Sequence, residues 1–428
     1  MTMKYWLGAG IAVAAGIGLY AYQAKAADLG KDGIGDLEER IADLESSVVR
    51  AGNRKVKLTI SGVVHKGVLY HNNDDLPGSG KLSVYDGSTD PSRIRLQGDA
   101  KVGKDWAAGF VIEVAYAGNT ARGTDVGSAL ISIDGPDGKN EFQIGETGST
   151  IRHSYAYLSG PIGSVSIGQQ STATDGVIEI STSRNAYLAG RPLQLLPMNF
   201  GGAVSGLVIP YDGGRAQSIK YETPRFAGFM ASAAWQDNES WDAALRWAAE
   251  AGGFQMAFGI GYRDQQSQTL ANVLNLLDVI TLDLAGSHKA ISGSASIKHV
   301  ATGLFATGFY SQIKYDLTGE LAILPPLFSA SFGLGTETAT GMGGQLGIER
   351  NWTGMGLTTI FADWQSTKGE NLFADATMYG LGAVQSFDQI ATDVYFSARR
   401  IDVEDTAGFC VGICKDTDVF SGGMRIKF

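Results

Sequence analysis

Arginine and lysine residues occur at polar positions of segments in which apolar and polar residues alternate. In segment 92–103, Ile94 and Leu96 share one face of a strand, so Arg93 and Arg95 share the other. A cation that faces lipid costs about 2–4 kcal/mol near the bilayer midplane, whereas one that faces water costs almost nothing. The alternation therefore predicts a row of positive charge along a wet face of a sheet.

Further cations are assigned to that face by the same alternation. Arg152 is placed opposite Tyr155 and Tyr157, which we predict to face outward, and Lys220 is placed opposite Ile219. Four basic residues on later segments are assigned in the same way: Arg246, Lys298, Lys314 and Arg399. If such a face lines a wet channel, its fixed charges set whether cations or anions are favoured there.

The chain offers no arrangement of residues for covalent chemistry. Its five histidines show no metal-ligand spacing, and no Gly-x-Ser-x-Gly elbow presents a serine nucleophile. We predict that the chain is not an enzyme and takes no metal and no cofactor. Segments 86–90 and 134–138 resemble fragments of calcium-binding loops, but polar turns are the preferred interpretation.

Two cysteines, Cys410 and Cys414, lie in the long connector 404–417. A secreted protein permits a disulfide, which would stiffen an exposed loop. A zinc site is the alternative, but the pair lacks His or Asp at ligand spacing. We predict a disulfide between Cys410 and Cys414.

The composition excludes several classes of protein. The 44 acidic residues outnumber the 34 basic ones and give a net charge of −10, which argues against a nucleic-acid binder. Hydrophobic residues make up 44% of the chain, too many for a disordered protein. The 428 residues are enough for two or three soluble domains or for one large barrel.

The first 52 residues predict two segments outside any sheet. Residues 1–26 resemble a secretory signal peptide, with Lys4, an apolar stretch and a small-x-small cleavage site at Ala24 and Ala26; a retained anchor is the alternative. Residues 27–52 predict a short coiled-coil-like helix with apolar residues at heptad spacing: Ile34, Leu37, Ile41, Leu44 and Val48. So short a helix is marginal alone, so we expect it to pack on the same helix in neighbouring subunits or, less favoured, on the chain's own body.

From residue 55 onward the hydrophobic period changes to two, which predicts about sixteen strands. The predicted strands are 56–70, 92–103, 107–117, 149–159, 164–170, 216–223, 228–236, 241–250, 254–264, 289–300, 304–315, 341–350, 357–367, 376–387, 391–403 and 418–428. Short turns alternate with long polar connectors, of which the longest are 71–91, 118–148, 171–215, 265–288, 316–340 and 404–417. Roughly ten-residue strands with unequal connectors are typical of an outer-membrane β-barrel.

Closure of the sheet is a physical requirement of this interpretation. Every backbone N–H and C=O in hydrocarbon needs an internal partner, so spanning strands must form a sheet without edges. A soluble sandwich or lipocalin-like barrel also has alternating strands, but aromatic residues near the predicted strand ends favour a membrane girdle. The last strand ends on Phe428, with Met424 and Ile426 on the same face, and this end is similar to the signal that outer-membrane assembly machinery reads.

Three segments resemble the general porins of Gram-negative bacteria. Residues 216–233 resemble a strand–turn–strand signature of that family, and residues 154–169 resemble the hairpin before its pore-narrowing loop. Residues 55–62 are similar to the alphaproteobacterial porin group. With the terminal Phe428, the resemblance extends over nearly the whole mature chain.

The resemblance implies an all-β fold: a sixteen-stranded antiparallel transmembrane β-barrel over 55–428, assembled as a homotrimer in outer-membrane lipid. It also implies that loop 171–215 folds inward and narrows the channel, with Asp175 and Glu179 as its acidic residues. Opposite them it implies a basic cluster, for which the candidates are Arg93, Arg95, Arg152 and Lys220. Opposed charges would create a field across the gap that favours polar solutes.

We therefore expect a porin in the outer membrane of a Gram-negative bacterium that passes small hydrophilic solutes and ions by passive diffusion. A channel specific for a sugar, phosphate or carboxylate is one alternative, and a structural barrel whose helix tethers the envelope is another. The net charge of −10 predicts weak cation selectivity.

Overall fold

The computed structural model of the chain describes residues 56–72, 80, 82–86, 90–116, 149–183, 213–236, 239–276, 280–323, 328–370, 375–404 and 416–428. The predicted signal peptide 1–26, the helix 27–52 and the cysteines Cys410 and Cys414 lie outside these residues. Within the described part, no helix has both the length and the apolar character needed to cross a membrane.

Seventeen strands follow one another in the described residues. They are β1 (Lys57–His71), β2 (Leu82–Asp86), β3 (Arg93–Val102), β4 (Trp106–Tyr116), β5 (Ser149–Gly160), β6 (Gly163–Ser171), β7 (Arg215–Glu222), β8 (Phe229–Gln236), β9 (Trp241–Ala251), β10 (Phe254–Leu276), β11 (Ile280–His299), β12 (Leu304–Ile323), β13 (Phe328–Arg350), β14 (Thr358–Gly369), β15 (Asp375–Phe387), β16 (Thr392–Glu404) and β17 (Thr417–Lys427).

These strands fill sixteen places in one closed antiparallel sheet. Each strand from β3 to β17 pairs with the next, and β17 pairs with β1 to close the barrel. Strands β2 and β3 share a single place, because both pair with the same side of β1. The first part of β1, from Lys57 to Val63, pairs with β3. The second part, from Lys66 to Tyr70, pairs with β2. The predicted sixteen-stranded barrel is thereby confirmed.

Side chains alternate across the wall as the sequence indicates. Large apolar residues are exposed on the outside, including Ile94 at 60% and Leu381 at 64%. The inside carries polar and charged residues, including Glu113, Asp242 and Arg399, all of them buried. An apolar exterior around a polar interior is the inverse of a soluble barrel.

Four strands are longer than the sequence analysis predicts. The segments 265–288 and 316–340, predicted as long loops, are largely strand, because β10, β11, β12 and β13 continue through them for 20 to 23 residues each. Strands β11 and β12 stay in regular register from Ile280↔Ile323 to Lys298↔Phe305. Backbone pairing between neighbours therefore continues well past the predicted strand ends.

Candidate functional site: the interior of the barrel

After β6 the chain leaves the wall and runs along the inside of the barrel. Residues 172–183 form this inner segment, which includes one 3-10 turn at Val177–Glu179. At its start, the backbone N–H and the hydroxyl of Thr174 donate to Asp242 Oδ2 on β9, at 2.7 and 2.6 Å. Asp242 is fully buried. One carboxylate therefore holds the segment against the wall by two charge-assisted hydrogen bonds.

The wall beneath the inner segment is built from small residues. A Cβ added to Gly259 would lie 2.4 Å from Ile180 Cδ1, and one added to Gly261 would lie 2.6 Å from Thr174 Cγ2. On β11, Ser294 Oγ accepts from the backbone N–H of Ile180 at 3.3 Å. Glycine lets the segment approach the wall, and the serine gives its backbone a partner.

The segment is tied to the wall again at its far end. Ser183 Oγ donates to Glu349 Oε2 on β13 at 2.9 Å, and Thr359 Oγ1 donates to the same oxygen at 2.9 Å. The other oxygen of Glu349 accepts from Lys298 Nζ at 2.5 Å. Lys298 thus lies inside the barrel, as predicted, where it is paired with a fully buried carboxylate.

Arg246, predicted as a wall residue, faces the interior and holds the inner segment. Its guanidinium donates to the carbonyl oxygens of Ala173 and Asp175, both at 2.8 Å. Arg263 on β10 donates to the carbonyl of Gly213 at 2.8 Å. Positively charged side chains therefore bind backbone carbonyl groups near both ends of the loop 171–215.

The acidic candidates of the loop lie on the inner segment. Asp175 is buried and Glu179 is half-buried, within the part of 171–215 that follows the wall of β9 to β13. Their role in narrowing the channel stays a prediction.

On the other side of the barrel, the basic candidates gather around one carboxylate. Glu113 on β4 is fully buried and lies 2.7 Å from Arg95 and 2.8 Å from Arg152. Arg93 Nε lies 3.6 Å from the same group. Lys220, also on the inner face, lies 3.7 Å from Glu222. The structure brings the three predicted arginines together, and it adds Glu113, which the sequence analysis did not select.

Arg152 reaches this cluster for a reason that the sequence analysis misjudged. Tyr155 and Tyr157, predicted to face outward, are buried on the inner face. Strict alternation from these tyrosines would place Arg152 outside. The register of β4 with β5 shifts between Glu113↔His153 and Val114↔Ile151, so Arg152 is the extra residue of a β-bulge. The bulge turns its side chain inward beside His153.

Lys314 is the wall candidate that the structure contradicts. It is exposed, and it shares the outer face of β12 with Tyr310 and Leu304, whereas Ser311 and Ile313 are buried on the inner face. Lys314 lies directly opposite Lys289, which is also on the outer face. The inner face of β12 carries the apolar residues Phe305 and Ile313, which the rule of apolar-outward faces assigns to the exterior, so Lys314 lies on the outer face instead. Arg399, by contrast, is inside and lies 2.7 Å from Asp363.

The chain end closes the barrel wall. The N–H of Gly62 donates to the carbonyl of Phe428 at 2.8 Å, and the N–H of Phe428 donates back to Gly62 at 3.1 Å. A Cβ on Gly62 would lie 2.3 Å from the ring of Phe428, so glycine makes room for that ring. Its role as an assembly signal stays a prediction.

Two residues missed by the sequence analysis, Asp242 and Glu113, anchor the two sides of the interior. Each stands at an inward position by alternation, which is the signal that could have found them. The described residues contain no group of His, Cys, Asp and Glu that could hold a metal ion.

A sequence model of the family described as Gram-negative porin matches residues 7–406. The chain belongs to that family. As a Gram-negative porin it is an outer-membrane protein whose barrel forms a channel for passive diffusion. A comparison with curated proteins finds no match.

Solved structures of low sequence identity show the same fold. An anion-selective porin from Comamonas acidovorans is 16% identical, with a TM-score of 0.52, and the match covers 87% of this porin and 100% of the other chain. A loop-deletion mutant of the Vibrio cholerae outer membrane protein OmpT is 14% identical, with a TM-score of 0.55 and 87% and 100% coverage. The outer membrane channel DcaP of Acinetobacter baumannii is 11% identical, with a TM-score of 0.52 and 89% and 99% coverage.

Proposed function

We propose that this porin assembles as a homotrimer in the outer membrane, and that each barrel passes small hydrophilic solutes and ions. The main observation that supports a channel is a closed wall with apolar residues outside and charged residues inside. Such a wall has no unpaired edge in lipid and offers water a polar path. A trimer form of the Vibrio cholerae OmpT, 14% identical with a TM-score of 0.53, supports the proposed assembly.

Reconstitution into planar bilayers tests the channel. Purified full-length protein is expected to give stepwise conductance increments in potassium chloride, and increments in groups of three would support the trimer. Absence of conductance from folded protein would refute the channel and favour the structural, envelope-tethering alternative. Cross-linking of the detergent-solubilised protein tests the assembly separately, because a monomer can still conduct.

A second candidate, a channel that prefers phosphate or carboxylate solutes, is favoured by the arginine cluster. Arg93, Arg95 and Arg152 surround the single carboxylate of Glu113. Guanidinium groups bind carboxylate and phosphate oxygens in a bidentate manner. A saturable block of chloride current by phosphate or a dicarboxylate would support this preference, and equal currents with and without these anions would exclude it.

The arginine cluster and the whole-chain charge predict opposite ion selectivity. A net charge of −10 favours cations, whereas three arginines around one glutamate favour anions. Charges on the inner wall lie closer to the path of an ion than charges on the rims, which salt screens more strongly. We propose that the local charge decides, and the sign of the reversal potential in a salt gradient tests this.

A further inference from the structure

The break between β2 and β3 delivers one carboxylate to the inside of the barrel. Asp90 lies just before β3 and is only 3% exposed. Its Oδ2 lies 2.8 Å from Arg425 on β17, and its Oδ1 accepts from Arg93 on β3. Strand β1 separates β17 from β3 in the sheet, so Asp90 joins them across the inner face of β1.

The backbone around Asp90 is fixed from two further strands. His65 Nδ1 on β1 donates to the carbonyl of Asp90 at 3.0 Å, and the backbone N–H of His65 donates to Ser92 Oγ at 3.0 Å. The hydroxyl of Tyr395 on β16 lies 2.8 Å from His65 Nε2. The carboxylate is therefore held in place by β1, directly and through its contact with β16.

Asp90 is the central member of a continuous row of alternating charges. Lys427 lies 3.1 Å from Asp393, and Asp393 lies 2.6 Å from Arg425. Beyond Asp90 the row continues through Arg93 to Glu113 and so to the arginine cluster. We name this row the charge ribbon; its members are Lys427, Asp393, Arg425, Asp90, Arg93, Glu113, Arg95 and Arg152.

The sum of its formal charges makes the ribbon positive. It contains five cations and three carboxylates, so its formal net charge is two positive units. Each carboxylate is shared between at least two cations, so loss of any one of them changes the field of its neighbours. Asp90 is the member that connects the barrel seam to the cluster.

We propose that Asp90 is a selectivity-determining positioning residue of this channel. By pairing with both Arg93 and Arg425, it fixes the position of Arg93 beside Glu113 and offsets part of the positive charge that the cluster presents to passing ions. The inference rests on the proposed function, because it requires that the barrel conducts ions.

The test is the reversal potential of reconstituted full-length channels in a potassium chloride gradient. Asp90→Asn raises the formal net charge of the charge ribbon by one unit. The ratio of chloride to potassium permeability is then expected to rise about threefold, the effect of one charge several ångströms from the path of an ion in water. Arg425→Gln lowers the formal net charge of the charge ribbon by one unit and is expected to shift the permeability ratio in the opposite direction. The double variant restores the formal charge and is expected to return the ratio towards the wild-type value.

Two controls separate this role from others. Asp105→Asn, in the exposed turn between β3 and β4, makes the same change in net charge outside the ribbon and is expected to leave the ratio unchanged. Asp90→Glu keeps the carboxylate and is expected to behave as wild type. A merely structural role would lower yield or thermal stability without opposite shifts from Asp90→Asn and Arg425→Gln.

The outcomes distinguish the inference from the proposed function. Folded wild-type protein without conductance would overturn both together. Conducting Asp90→Asn channels with the wild-type reversal potential would overturn the inference alone. If Asp90→Asn does not fold, the Arg425→Gln shift decides: a move towards cations supports the proposal, and no move refutes it.

Discussion

Arg152 Nε lies 2.8 Å from Glu113 Oε1, and the contact exists because Arg152 is the extra residue of a β-bulge. A regular β5 would place this guanidinium on the outer wall, where a cation costs about 2–4 kcal/mol at the bilayer midplane. One inserted residue therefore converts an unfavourable exterior cation into a member of the interior cluster.

Replacement of Glu113 by glutamine removes the carboxylate that the cluster shares. Breaking a buried ion pair by removing one partner typically costs roughly 3–5 kcal/mol, so a clear drop in the unfolding midpoint is expected in detergent. The same change is expected to raise chloride permeability. Glu250→Gln, at an exposed position near the β9–β10 turn, serves as the control, and an equal loss in both variants would contradict the prediction.

Asp242→Ala is expected to loosen the inner segment. The variant leaves the backbone N–H of Thr174 without its acceptor, and an unsatisfied buried donor costs about 1–3 kcal/mol. Single-channel recordings are expected to show more open-channel noise, because residues 172–183 are held less firmly. Asp264→Ala on the outer face is the matched control; quiet recordings from Asp242→Ala would refute the anchoring role.

Gly261→Ala tests the close approach between the inner segment and the wall. The new methyl group would lie 2.6 Å from Thr174 Cγ2, and Thr174 is itself held by Asp242. Overpacking of this kind costs typically about 1–3 kcal/mol, so we expect faster proteolysis of the loop 171–215 in folded protein. The comparison is Gly308→Ala, whose methyl group would lie 3.7 Å from the nearest atom, the Gly343 oxygen. Equal cleavage rates would show that the approach does not matter.

The corrected position of Lys314 gives a test that contrasts two lysines. Lys314→Gln is expected to leave ion selectivity unchanged, because this side chain lies on the outer wall. Lys298→Gln removes a cation from the inside and leaves Glu349, so its reversal potential is expected to move towards cation preference. A shift for Lys314→Gln as large as that for Lys298→Gln would contradict the assignment of faces.

Alternation was sufficient to predict the barrel, because spanning strands present mainly apolar residues outward and mainly polar residues inward. It also placed Arg93, Arg95, Lys220, Arg246, Lys298 and Arg399 correctly. Tyr155 and Tyr157 defeated the rule, because aromatic residues suit both a lipid-facing wall and the inside of a barrel. Lys314 defeated the rule in a similar way, because the apolar residues Phe305 and Ile313 on the opposite face of β12 are buried inside the barrel.

Contacts between distant strands could not be predicted in this way. Glu113 can be assigned to the inner face from its own strand, but its contact with Arg152 depends on a register shift between β4 and β5. Asp90 meets Arg425 although 335 residues separate them in the chain. Such contacts depend on closure of the sheet, which brings the first and last strands side by side.

The shared position of β2 and β3 in the sheet bears on the diameter of the cylinder. The number of strands and their stagger set the circumference of a closed sheet, and two strands that fill one position add nothing to that number. After this interruption, the Asp90 side chain lies on the inner face against Arg93 and Arg425. This barrel therefore acquires an internal acidic group without altering its diameter.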